Sequence, residues 1–247
     1  MDKPLKLAIA GLGTVGVGVT KIIQNHADLI ATRAGRPITI TAVNARNRDK
    51  DRGVDVSAYQ WVDDTAAFAD MDDVDVVVEL IGGSDGTAYD LAKKALGKGK
   101  HFVTANKALL AHHGHELAAL AEDNKVNLAY EAAVAGGIPI IKAMREGFAG
   151  NAIDAVYGIL NGTCNYILTE MRETGRDFKD VLKDAQELGY AEADPTFDIE
   201  GVDAAHKVTL MSAIAFGIPV QFDKAYVEGI TQLGATDIKY AEQLGYR

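Results

Sequence analysis

The chain has 247 residues, 48% hydrophobic and 24% charged, enough for one large domain or two modest ones with real cores. Its 35 acidic and 25 basic residues give a net charge of −10, which argues against nucleic acid or an anionic membrane as the principal partner. The single Cys164 excludes an intrachain disulfide framework and fits a reducing compartment. Met1-Asp2-Lys3-Pro4 lacks a signal-peptide layout and no apolar run reaches transmembrane length, so a cytoplasmic protein is expected.

Leu5–Ala10 is a short apolar run closed by Gly11-Leu12-Gly13-Thr14-Val15-Gly16. A helical pattern follows, with Val15, Val19, Ile22, Ile23 and Ile30 on one side. Strand, glycine turn, then helix is the context the dinucleotide fingerprint requires. The first Gly makes the turn, the second admits a pyrophosphate to the backbone, and the third lets helix and strand pack closely. The next strand, Ile38–Ala45, leads into Arg46-Asn47-Arg48 with no acidic residue at its end. An NAD site usually places Asp or Glu there for the ribose hydroxyls. Here Ala45, Arg46 and Arg48 favour a 2′-phosphate, hence NADP.

Further strands and helices alternate: strand Asp75–Leu80 with the exit Ile81-Gly82-Gly83, helix Thr87–Lys98, strand His101–Thr104. The pattern predicts an α/β Rossmann-type doubly wound parallel sheet. Ligands in that fold lie beyond the carboxyl ends of strands, which places Gly82, Gly83, Thr104, Ala105, Asn106 and Lys107 near the nicotinamide end. His112-His113-Gly114-His115 lacks the spacing of a helical zinc site and is read as a solvated loop and helix start.

Val126–Tyr130 reads as a strand. The curl Glu131 to Pro139 puts one carboxylate at the head of a glycine-rich segment that can offer carbonyls to a small cation. Asp154–Leu160 is a predicted strand, and Asn161-Gly162-Thr163-Cys164 opens a helix with Thr163 as its cap. Phe178–Leu188 is another helix. The segment Gly189 to Lys207 carries five acidic side chains and one Lys, then enters a helix beginning near Val202. Val208–Gly217 has no charge, which predicts burial all round. Asp203 and Lys207 lie one turn apart, so a carboxylate can hold an ammonium at the edge of a dry interior. Cys164 has no His near it in sequence and reads as a small packed residue rather than a nucleophile. An amphipathic pattern, Ile238–Tyr246, closes the chain.

Four motifs in order, Gly11 to Gly16, Thr104 to Lys107, Gly158 to Ile167, and Gly189 to Lys207, make the chain similar to the homoserine dehydrogenases. The resemblance implies a Rossmann domain over 1–130 and an α+β catalytic, substrate and dimerisation domain over 131–247. It implies reversible NAD(P)H-dependent reduction of L-aspartate 4-semialdehyde to L-homoserine, on the branch toward threonine, isoleucine and methionine. Carried over by position, Lys207 is the general acid/base, Lys107 a substrate and cofactor contact, and Glu192 the carboxylate for the substrate amino group, with Asp198 and Asp203 supporting. Gly162 and Gly189 join the cofactor contacts Gly11, Gly13, Thr14, Val15, Gly16, Gly82, Thr104 and Asn106. Glu131 with the carbonyls of Val134, Gly136 and Ile138 matches the family's sodium site. The family's catalytic region continues past the position of residue 247, and its full-length members are expected to be homodimers. The alternatives are another two-domain NAD(P) oxidoreductase for a small aldehyde or alcohol, and a nucleotide-binding module without catalysis.

Overall fold

Alternating side-chain size builds the first half of the molecule. Along β1 (Leu5–Ala10), Leu7 and Ile9 point to one face while Ala8 and Ala10 point to the other, as the two-residue period of a strand requires. In the computed structural model, which describes residues 3–246, this strand is flanked by β2 (Ile38–Asn44) and β4 (Val76–Glu79). With β3 (Gln60–Trp61), β5 (His101–Thr104) and β6 (Leu128–Ala129) they form one parallel sheet in the order β3-β2-β1-β4-β5-β6. The chain leaves β1 to one side and returns to pair β4 on the other. The sheet's switch point is therefore between β1 and β4, at the end of the glycine turn.

Helices cover both faces. α3 (Thr87–Gly97) and α4 (Lys107–Asp123) bring Leu91, Leu96, Leu109 and Leu117 onto Ala8, Ala42, Val77 and Phe102. On the other face, α1 (Thr14–Asn25) lays Val19 and Ile23 against Leu7, Ile9, Val76 and Val78. Val15 and Ile22, expected on the same side, are exposed. The helix breaks at His26 before α2 (Ala27–Ala34), so the single stripe predicted through Ile30 belongs to two rods.

The chain divides into two compact units, Met1–Asn151 and Ala152–Arg247. The division at 130/131 read from the sequence falls inside the first unit. The reason is local: the Glu131 carboxylate accepts from the backbone N–H of Ile141 at 2.8 Å and of Lys142 at 3.0 Å, holding the one-turn α5 (Ile140–Lys142) to that unit.

The second unit is built from α6 (Gly162–Thr174), α7 (Phe178–Glu187), the one-turn α8 (Thr196–Ile199), α9 (Val202–Phe216) and α10 (Ala235–Gln243). Its core is Ile167, Met171, Val181, Ala185, Ala191 and Ile199, with Ile230 and Ile238 packed against it. Two expectations are corrected here. Asp154–Leu160 forms no strand: it has no ladder partner among the described residues, and Tyr157 and Ile159 are 92% and 81% exposed. A strand exists only where a neighbour satisfies its backbone. Val208–Gly217 is not buried all round: Thr209, Leu210 and Met211 are buried, Ser212 to Ala215 are half-buried, and Phe216 is 43% exposed. No helix among the described residues is long and apolar enough to cross a membrane.

Candidate active site

The three fingerprint glycines are glycine for two different reasons. Gly11 adopts φ +100°, and a Cβ there would lie 2.4 Å from the Leu80 carbonyl oxygen. At Gly16 a Cβ would meet the Gly11 carbonyl oxygen at 1.9 Å, so the turn and α1 touch through bare backbone. At Gly13 a Cβ would meet nothing within 4 Å. The protein itself does not forbid a side chain at Gly13, and the space beside it is open. No side chain caps α1, and Gly13, Thr14 and Val15 are exposed. Its first N–H groups and the positive end of its dipole therefore face outward, the arrangement an anion needs.

At the exit of β2, Asn44 stands where an NAD site has its acid, and its amide is spent on the carbonyls of Val62 (2.7 Å) and Asp63 (3.1 Å). Arg46 and Arg48 are exposed, with the Arg48 guanidinium 5.8 Å from the Trp61 ring centre. Arg52 was missed in the sequence. It also lies over Trp61, at 5.6 Å, and its guanidinium donates to the carbonyls of Leu12, Lys50 and Asn47, which ties the Arg-rich loop to the glycine turn. The signal was available as a third Arg in one short basic run.

At the other end of the crevice, Thr104 and Asn106 are buried. Asn106 caps α4 by accepting from Leu109 N–H at 3.0 Å, and its Nδ2 donates to the Gly83 carbonyl at 2.6 Å. That cap delivers Lys107 as the first residue of α4, beside Ala105 at the carboxyl end of β5. Gly82 has φ +87°, a conformation that favours glycine. His112–His115 lie inside α4 rather than in a loop, because Asn106 starts the helix earlier than the sequence indicated. His113 Nε2 lies 2.8 Å from Asp85 Oδ1, a carboxylate 28 residues away in sequence. The Ser84 hydroxyl first and His113 second hold the Asp85 carboxyl below its usual range.

In the Glu131 curl, the Glu131 carbonyl accepts from Val134 and Ala135 N–H, and the Ile138 carbonyl from Ile140 N–H. Among the described residues the Val134 and Gly136 carbonyls accept no hydrogen bond. No group of three His, Cys, Asp or Glu side chains there could hold a metal.

The second unit gathers its polar residues around Asn161, another residue whose role the sequence concealed. Asn161, rather than the expected Thr163, is the N-cap of α6, its Oδ1 accepting from Cys164 N–H at 2.8 Å. Its amide nitrogen donates to Asp198 Oδ1 at 2.7 Å and to Asp203 Oδ2 at 2.9 Å. Thr163 Oγ1 instead reaches the Tyr190 carbonyl (2.8 Å) and Asp198 Oδ2 (3.2 Å). Lys207 Nζ donates to Asp203 Oδ2 at 2.7 Å and to the Leu160 carbonyl at 2.8 Å. Asp203 is 2% exposed and the Lys207 side chain 19%, so the carboxylate of the predicted pair is buried while the ammonium keeps some exposure. Two of the three ammonium N–H groups are committed among the described residues, which leaves the third for an incoming acceptor.

Gly162 and Gly189 line one hollow of about 580 Å³ with Thr163, Tyr166 and Tyr190, the two tyrosine rings 4.7 Å apart. Glu192 is exposed, and its backbone carbonyl accepts from Gln186 Nε2. Cys164 donates through Sγ to the Asp198 carbonyl at 3.2 Å. Burial, then the Asp198 and Asp203 charges, push its thiol up to about 11, which removes it as a nucleophile near neutrality.

A parallel sheet with an open glycine turn at its switch point, followed by a unit with a lysine held in a carboxylate–amide cluster, defines an α/β protein with a Rossmann-type first unit. Residues 11–131 match the family model "Homoserine dehydrogenase, NAD binding domain", and residues 139–247 match "Homoserine dehydrogenase". The chain is 55% identical over 245 residues to the homoserine dehydrogenase of Pseudomonas aeruginosa, covering 99% of this chain and 56% of that one. The solved homoserine dehydrogenase of Thiobacillus denitrificans superposes with a TM-score of 0.92 at 53% identity, over 99% of this chain and 56% of that one. A putative homoserine dehydrogenase from Archaeoglobus fulgidus gives 0.84 at 34% identity, over 98% and 77%. The chain belongs to the homoserine dehydrogenase family, and spans little more than half the length of the curated relatives it matches.

Proposed function

We propose that the protein reversibly reduces L-aspartate 4-semialdehyde to L-homoserine, feeding threonine, methionine and isoleucine synthesis, and prefers NADPH. The observation that carries this reading is the partly buried Lys207–Asp203–Asn161–Asp198 cluster, within the span matched by the model "Homoserine dehydrogenase". A bound NADPH supplies the hydride. Lys207 meets the negative charge growing on the aldehyde oxygen with its remaining N–H and delivers the proton. Asp203 and the Leu160 carbonyl fix the ammonium, while Asn161 keeps Asp203 and Asp198 from repelling each other. Lys107, at the head of α4, is assigned to cofactor and substrate, and the exposed Glu192 to the substrate's ammonium.

Arg46 and Arg48 support the NADP preference, since no acid at the β2 exit would repel a 2′-phosphate. In the Glu131 curl, one carboxylate and the carbonyls of Val134, Gly136 and Ile138 form a hard-oxygen donor set suited to sodium. Each engaged oxygen keeps a second lone pair, and the ion would brace the curl. The same reading implies a cytoplasmic homodimer, which sedimentation of the protein tests.

The test is NADPH oxidation followed with aspartate semialdehyde and with a matched aldehyde lacking the amino group. Turnover of the first alone is expected; equal turnover of both would remove Glu192 and the substrate assignment. Arg46→Glu should weaken NADPH more than NADH, and an unchanged preference would remove the NADP assignment.

A further inference from the structure

Glu79, the last residue of β4, is a carboxylate with 0% exposure. Its Oε1 accepts from Ile81 N–H at 2.7 Å and Gly82 N–H at 3.0 Å, and its Oε2 accepts from Thr104 Oγ1 at 2.6 Å. Thr104 Oγ1 in turn accepts from Asn106 N–H at 2.9 Å. The two N–H groups on Oε1 can only donate, and with the Thr104 hydroxyl donating to Oε2 the arrangement favours a carboxylate that accepts at both oxygens. Among the described residues no Lys, Arg or His forms an ion pair with it. Carboxylates are almost never fully buried without a counter-charge, so this one leaves a negative field that neutral donors shield only in part.

Its place in the sheet says where that field acts. Glu79 is in register with Ala10, just before the glycine turn, on one side and with Thr104 on the other. On the NADP-dependent reading, the turn at the end of β1 would take the pyrophosphate and the Arg-rich exit of β2 the adenosine side. The nicotinamide half would then be held by the ends of β4 and β5, where Glu79 binds the N–H groups of the loop. An oxidised nicotinamide ring carries a positive charge and a reduced one does not.

We infer that Glu79 is a redox-state discriminator, a buried anion that favours the oxidised cofactor and stabilises the positive charge developing on the nicotinamide as hydride leaves. The inference rests on the NADP-dependent reading above. Glu79 does not touch the ring; it acts through the field and through the loops after β4 and β5. A carboxylate serving only as a tether would set the affinity for both redox states together. One acting by charge separates them.

The experiment is titration of the protein with NADP+ and with NADPH, giving two dissociation constants for the wild type, Glu79→Gln and Thr104→Val. Glu79→Gln, close in shape but neutral, should weaken NADP+ relative to NADPH by roughly threefold or more. Thr104→Val keeps the charge and strips one of its three shielding donors, so it should move the ratio toward NADP+. Equal changes in both constants for Glu79→Gln would reduce the residue to a tether and overturn the inference. If that variant does not fold, Thr104→Val decides: a ratio that stays put or moves toward NADPH overturns it. A wild type that binds neither nucleotide overturns the cofactor reading itself, and this inference with it.

Discussion

The first turns of the helices α1 and α6 are finished in opposite ways. α6 is closed from within: the Asn161 side chain accepts from Cys164 N–H, and the same amide binds Asp198 and Asp203. α1 is left open, with Gly13 at its cap position, no side-chain cap and no acid in its first turn. Each helix start carries N–H groups that require partners. Where the chain supplies them, the cap becomes an organiser of the neighbouring side chains; where it does not, the partner comes from outside. Within the second unit the cap holds the carboxylates that pair with Lys207, and within the first the helix end stays open.

The largest expected effect is at the closed end. Lys207→Arg keeps a cation on Asp203 but offers a group that does not release its proton at working pH. Turnover should fall by roughly 10²–10⁴-fold, the usual weight of general acid catalysis, with NADPH affinity unchanged. A kcat near wild type would show that the cluster around Asn161 is structural only.

The two kinds of glycine at the open end give the next contrast. Gly16→Ala drives a methyl group into the Gly11 carbonyl and should cost roughly 1–3 kcal/mol in urea unfolding. Gly13→Ala meets nothing of the protein and should stay within about 0.5 kcal/mol of wild type. It should nonetheless weaken the nucleotide about tenfold or more, some 1.4 kcal/mol. If Gly13→Ala binds as wild type does, the open helix end is not where the pyrophosphate sits.

What the sequence revealed and concealed follows the range of the interactions. β1 and β5 are found at the bounds read from their apolar runs, and the glycine turn is where its spacing puts it. The Asp203–Lys207 pair is legible because both residues lie on one helix, four apart. Asn161 was hidden because its two carboxylates come from 37 and 42 residues further on. Glu79 read as one more residue of a buried strand, and only the fold shows three donors converging on it. Asp154–Leu160 failed in the other direction: its pattern suits a strand, but no pattern supplies the neighbouring strand that would make it one.

The double duty of Asn161 can be separated. Asn161→Ala removes a cap, which should cost about 0.5–2 kcal/mol, and leaves Asp198 and Asp203 without their shared donor. Asn161→Ser retains a good capping group that is too short to bridge both carboxylates, so it should recover most of the thermal stability. The KM for the semialdehyde should stay raised in both. Equal recovery of stability and KM by Ser would mean that the bridge adds nothing beyond the cap.

The smallest effect is also the sharpest on the difference between the helix ends. A thiol in the first turn of a helix is ordinarily activated, because the dipole and the loose N–H groups favour the thiolate. Cys164 occupies that position, but its own N–H is taken by Asn161 and its Sγ donates to the Asp198 carbonyl. With burial and two nearby carboxylates, the thiol is pushed up to about 11 instead. Alkylation by iodoacetamide should therefore be slow at pH 8 and rise only as pH approaches that value. The sign for stability follows, since the folded thiol holds its proton more tightly than an unfolded one at about 8.5. Its contribution is fully present below that pH and is lost as pH rises through about 11. Cys164→Ser, which does not titrate in this range, should flatten the decline of the melting temperature across the same window. A measured thiol pKa at or below 8.5 would mean that the end of α6 is as open as that of α1.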